Sequence, residues 1–160
     1  GEGDNYHATN SHVLPALIRK FHEAKIKKKR TVTCWGTGKP LREFLYVDDL
    51  AEAVIFVLEK WDPLNNKNSK YGLDNCINLL NVGSNFEISI KDLTLKIAKI
   101  IDFKGEIEWD QSKPDGTPRK KLDTEKINKL GWEAKISLDE GIKKTLFFYQ
   151  RDLKNNNLRE

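Results

Sequence analysis

The segment Gly36-Thr37-Gly38-Lys39-Pro40 constrains this chain more than any other. Two glycines and a proline within five residues rule out a continuous helix and interrupt any strand, so the chain must turn here. An alternating run, Thr31 to Trp35, precedes the turn, and a second strand-like run, Arg42 to Tyr46, follows it. The pattern predicts a hairpin with Trp35 and Arg42 flanking one bend. An indole face offers stacking area, and a guanidinium offers a planar fork of donors that suits phosphate oxygens. The pair therefore suits a nucleotide-linked ligand, and it suits equally well an ordinary hairpin with a packed Trp and a surface Arg.

The apolar positions Val13, Leu14, Leu17, Ile18, Phe21 and Ala24 recur at helical spacing and predict a helix from about His12 to Lys28, capped by Asn10 or Ser11. Its end carries the dense basic run Lys25 to Arg30, where cations complement the helix dipole. Asp48 is expected to cap a second helix, Leu50 to about Trp61, so the pair Asp48 and Asp49 reads as helix start and not as an acid/base or metal pair. A surface loop, Asp62 to Asn75, is followed by the apolar run Cys76 to Val82, which predicts a strand buried on both faces. Ser89 with Asp92, and Ser137 with Glu140, are capping boxes ahead of helices through about Ile101 and Tyr149. Between them lie a strand at Gly105 to Trp109, a polar loop from Gln111 to Lys121, and a short helix from Asp123 to Gly131. The class is α/β, one domain over residues 1–153 with a fraying polar tail, 154–160.

At 160 residues and 38% hydrophobic the chain suffices for one core. Its 28 basic and 24 acidic residues nearly balance, and the resulting +4 gives no reason to expect nucleic acid. No apolar stretch has the length of a membrane span, and Gly1-Glu2-Gly3-Asp4 lacks the character of a signal peptide, which predicts a soluble, cytoplasmic setting. Cys34 and Cys76 read as reduced core thiols, and no Cys or His spacing fits zinc. The absence of methionine is expected of a chain processed or cut from something longer.

A dinucleotide fold needs a strand, a glycine-rich turn and a helix in that order. Gly1-Glu2-Gly3 has no strand before it, Gly36-Thr37-Gly38 runs into a strand, and no tyrosine has a lysine four residues later.

Three stretches, Asn5 to Leu17, Trp35 to Ala51, and Lys113-Pro114-Asp115-Gly116-Thr117-Pro118-Arg119-Lys120, together resemble the GDP-L-fucose synthases of the extended short-chain dehydrogenase/reductase group. The resemblance covers essentially the whole chain and corresponds to the C-terminal, substrate-binding half of that family, without a complete Rossmann domain. It implies an NADPH-dependent epimerase and reductase that converts GDP-4-keto-6-deoxy-D-mannose to GDP-L-fucose, with NADP held mainly by the other half. It also implies a homodimer for the full-length enzyme, no membrane or nucleic-acid partner, and no turnover by this chain alone. His12 matches the family's catalytic acid/base, which lies beside the cofactor; a bland alternative is that it merely helps start a helix. Lys20, Trp35, Arg42 and Asp115 match substrate contacts. Arg119 and Lys120 fit either phosphate neutralisation or a solvated loop, while His7 and His22 carry no motif. Other readings are a non-enzymatic nucleotide-sugar-binding module, or another nucleotide-sugar epimerase or dehydratase of the same group.

Overall fold

The computed structural model describes residues 1–62 and 79–159. In chain order the elements are α1 (Val13–Ile26), β1 (Thr31–Trp35), β2 (Leu41–Glu43), α2 (Val47–Lys60), β3 (Glu87–Ser89), α3 (Ile90–Ile101), β4 (Glu106–Asp110), β5 (Arg119–Lys120), α4 (Glu125–Leu130) and α5 (Leu138–Lys154). The α/β class expected from the sequence is the class observed.

The expected hairpin is not formed. β1 pairs in parallel with β4, from Thr31 opposite Glu106 to Trp35 opposite Asp110. β2 belongs to a second sheet of order β3-β2-β5, antiparallel to β3 and parallel to β5, with Arg42 opposite Ile88 and Lys120. The glycine turn therefore carries the chain from one sheet to another, helped by Gly36 at φ +75°, a conformation that L side chains rarely adopt. Sequence pattern identifies strands but not partners, because pairing is decided by distant residues.

α1, α3 and α5 enclose the main core, where Ile18, Phe21, Leu93, Ile97, Ile142 and Tyr149 are buried together with Val32 and Cys34 of β1. Phe21 meets Phe103 edge-on at 5.4 Å, and Tyr6 lies 4.6 Å from the Tyr149 ring. Such ring pairs add to the stabilisation by burial. His22 is a core filler, with its ring edge-on to Tyr149 at 5.1 Å. A smaller cluster forms around Ala53 of α2, Ile127 of α4 and Trp132. Cys34 is a free, buried thiol, and Cys76 lies outside the described residues.

The serine half of each expected box forms: Ser89 Oγ accepts from Asp92 N at 2.9 Å, and Ser137 Oγ accepts from Glu140 N at 3.3 Å. The other two expected caps are displaced. α1 is capped by His12 without a side-chain bond, because the Asn10 side chain accepts from Thr9 in a turn gathered on His7 Nδ1. α2 is capped by Tyr46, whose carbonyl accepts from Leu50 N at 3.1 Å, and Asp48 is simply an acidic residue of the first turn. Asp49 is buried, and its carboxylate accepts from Ile136 N at 2.9 Å, pinning the approach to α5.

Other boundaries also differ. The strand expected at Cys76 to Val82 is absent where it can be followed: residues 79–82 are irregular and Leu79 is exposed, since a strand buried on both faces needs partners that the described sheets do not supply. Residues 76–78, and the expected loop from residue 63 onward, lie outside the described residues. β2 stops at Glu43, where the carboxylate turns aside to accept from Asn85 N at 2.7 Å and Leu122 N at 3.0 Å. The polar loop after Gln111 contains β5, which borrows its order from β2. α4 starts at Glu125, held by an Asx turn from Asp123 Oδ1 to Glu125 N at 3.0 Å. The tail does not simply fray: α5 continues to Lys154, and Tyr6 N donates to Arg159 O at 3.0 Å.

Candidate functional site

β1 returns along α1 after a connection of four residues, so the C-terminal end of β1 and the N-terminal end of α1 lie at the same end of the fold. Lys20 Nζ donates to Thr33 O at 2.8 Å and fixes the register between the two. From that contact Trp35 lies two strand residues onward, and His12 eight helical residues back, about 12 Å along the axis.

Trp35 ends β1 with its indole 68% exposed, an unusual amount for a side chain of this size at a sheet edge. Alternation explains it: Val32 and Cys34 face the core, so Thr31, Thr33 and Trp35 face away. Two ammonium groups attend the ring, Lys20 Nζ at 6.0 Å and Lys113 Nζ at 5.9 Å from its centroid, the limit of cation–π range.

Beyond Trp35 the turn meets the loop that follows β4. Thr37 N donates to Asp115 Oδ1 at 2.8 Å, and Thr37 Oγ1 donates to Asp115 Oδ2 at 2.6 Å. These hydrogen bonds hold the Asp115 carboxyl below the usual range. Gly36 makes the approach possible, since a Cβ there would collide with Asp115 Oδ1. Arg42 is half-buried on β2 and donates from Nη1 to Leu41 O at 2.7 Å. Its Nη2 lies beside Gly116, where a Cβ would stand 3.0 Å away.

Of the residues singled out in the sequence, Lys20, Trp35, Arg42 and Asp115 are thus joined through direct contacts of the turn and the 111–118 loop. His12 is at the same end but touches none of them, and is exposed to solvent at the start of α1. Arg119 is committed elsewhere: its guanidinium grips Glu87 through Nε at 2.8 Å and Nη2 at 2.6 Å, and this pairing holds the Glu87 carboxyl low. Lys120 is exposed on β5 beside Arg42. A hollow of about 830 Å³ lined by Arg119, Lys121, Thr124 and Asn128 shares no lining residue with the Trp35 cluster. Its polar side chains Asn85, Thr124 and Asn128 satisfy one another. Among the described residues no group of His, Cys, Asp and Glu could hold a metal, and no helix is long and apolar enough to cross a membrane.

The model of the NAD dependent epimerase/dehydratase family matches residues 1–71. The probable GDP-L-fucose synthase 1 of Oryza sativa subsp. japonica is 48% identical over 149 residues, 93% of this chain and 42% of that protein. The GDP-L-fucose synthase of Escherichia coli (strain K12) is 44% identical over 155 residues, 97% of this chain and 46% of that protein. Over most of its length the chain is similar to GDP-L-fucose synthases. It spans less than half the length of these relatives. The fold agrees: the structure of a GDP-6-OMe-4-keto-L-xylo-heptose reductase from Campylobacter jejuni superposes on 92% of this chain and 50% of its own, with TM-score 0.79 and 33% identity.

Thr37 and Lys113 lie inside the stretches that carry the resemblance, but neither was singled out there for a role of its own. Only the fold brings them to Asp115 and Trp35.

Proposed function

We propose that this chain is the GDP-sugar-binding part of a GDP-L-fucose synthase, the enzyme that epimerises C3 and C5 of GDP-4-keto-6-deoxy-D-mannose and reduces C4 with NADPH to give GDP-L-fucose. The observation that carries the reading is the convergence of an exposed indole, two lysines, an arginine and a fixed carboxylate at the end of β1. Trp35 offers a stacking face, Arg42 and Lys20 offset diphosphate charge, and Asp115 accepts from ligand hydroxyls or the base. His12, exposed at the start of α1, exchanges protons beside the ketone, a task suited to an imidazole. Residues 1–153 act as one binding unit.

NADPH supplies the hydride for the C4 step. The described residues contain no strand, glycine turn and helix in the order a pyrophosphate requires, because Gly36-Thr37-Gly38 leads into β2. His12 alone stands for the cofactor side here, and the rest belongs to the other half of a longer, homodimeric cytoplasmic enzyme. The isolated chain therefore binds without turning over.

Calorimetric titration of the chain with GDP and with UDP tests the reading. GDP should bind more tightly than UDP, and Trp35→Ala or Arg42→Gln should each weaken GDP about tenfold. A chain indifferent to GDP would refute it. In a full-length synthase His12→Asn should abolish solvent-proton exchange at C3 and C5 while GDP-sugar binding persists.

A further inference from the structure

We propose that Thr37 is a positioning residue of the nucleotide-sugar site: its amide and hydroxyl together seat the Asp115 carboxylate, and with it the 111–118 loop, where the ligand is met. The proposal rests on the GDP-sugar reading above and assigns a role to a residue that touches no ligand in that reading.

The geometry is specific. One residue supplies two donors to the two oxygens of one carboxylate, at 2.8 and 2.6 Å, across a sequence separation of 78 residues. The ends of the loop are fixed by backbone bonds, Lys113 N to Asp110 O at 3.2 Å and Leu41 N to Pro118 O at 2.8 Å. Asp115 secures the middle. A carboxylate has about four lone-pair sites, and Thr37 occupies two of them, which leaves acceptor capacity for ligand N–H or O–H groups. The same pairing lowers the Asp115 carboxyl further below its ordinary value and so favours the acceptor-only form. It also sets the neighbours of Asp115, with Lys113 Nζ 5.9 Å from the Trp35 ring centroid and Gly116 against the Arg42 guanidinium. Ordering the loop in the free chain removes an ordering cost that would otherwise fall on binding.

The test compares Thr37→Val, which keeps the amide and the shape but loses the hydroxyl, with Thr37→Ser, which keeps both donors. GDP affinity is measured by calorimetry on the 160-residue chain. The Asp115 carboxyl is followed by carbon NMR in the absence of ligand. Thr37→Val should weaken GDP about five- to tenfold, the worth of one charge-assisted hydrogen bond in a positioning role, and Thr37→Ser should restore affinity to within about twofold. In Thr37→Val the Asp115 titration should move up toward the ordinary carboxylate range, and in Thr37→Ser it should stay low. Wild type and Thr37→Val binding GDP equally would overturn this inference and leave the GDP-sugar reading standing. No GDP binding by the wild type would overturn both.

Discussion

Gly36→Ala tests how the turn and the loop depend on each other. Gly36 sits at φ +75°, where an alanine pays about 1–2 kcal/mol for left-handed backbone. A Cβ at this position also collides with Asp115 Oδ1. The carboxylate is exposed and on a loop, so it swings aside more readily than the turn deforms, and the bonds from Thr37 are lost. Gly131 is the matched control: it is left-handed at φ +106° as the cap of α4, yet a Cβ there has nothing within 4 Å. Both variants should lower urea-unfolding stability by about 1–2 kcal/mol, or roughly 2–8 °C in melting temperature for a chain of this size. Only Gly36→Ala should also weaken GDP, by the factor expected of Thr37→Val or more. A Gly36→Ala protein that unfolds at the wild-type urea midpoint and binds GDP normally would refute the reasoning.

Asp49→Ala removes the acceptor for Ile136 N and should cost about 1–3 kcal/mol, the penalty of stranding a buried donor, measured by urea unfolding; Asp49→Asn, which retains an acceptor oxygen, should lose less. His22 is buried with Nδ1 unpartnered, and desolvation lowers its pKa below the ordinary 6.5. The unfolded chain then binds more protons in the window beneath 6.5, so this contribution to stability is complete above 6.5 and declines as pH falls toward the folded value. His22→Phe should flatten that acid-side decline in a melting-temperature series, and an unchanged slope would show that another group causes it.

Features set by neighbouring residues were legible in the sequence, and features set by distant ones were not. Ser89 with Asp92 and Ser137 with Glu140 announce α3 and α5 because a cap is completed within four residues. The alternation of Thr31 to Trp35 is β1 to the residue. α1 starts where expected, but its cap is His12 because Asn10 is bound into the His7 turn, and Asp48 lost the capping role to Tyr46 while Asp49 turned inward to the α5 approach. β5 is invisible in a loop sequence because its pairing with β2 supplies all its order. The supposed hairpin failed for the same reason, since β1 found β4. At the proposed site, Trp35 and Arg42 were singled out by their chemistry at the turn, Lys20 and Asp115 through the family resemblance, and the contact of Thr37 with Asp115 across 78 residues became visible only in the fold.

Cys34 lies in β1 one residue before the exposed indole, with its thiol 3% accessible and its pKa raised by burial. Alkylating reagents reach that sulfur only when the strand lifts from its helices, so the labelling rate, read in a Cys76→Ser background, reports how often the floor of the proposed ligand site opens. A bound nucleotide should slow that reaction from the opposite face of the strand, giving a chemical stopwatch for occupancy that needs no turnover.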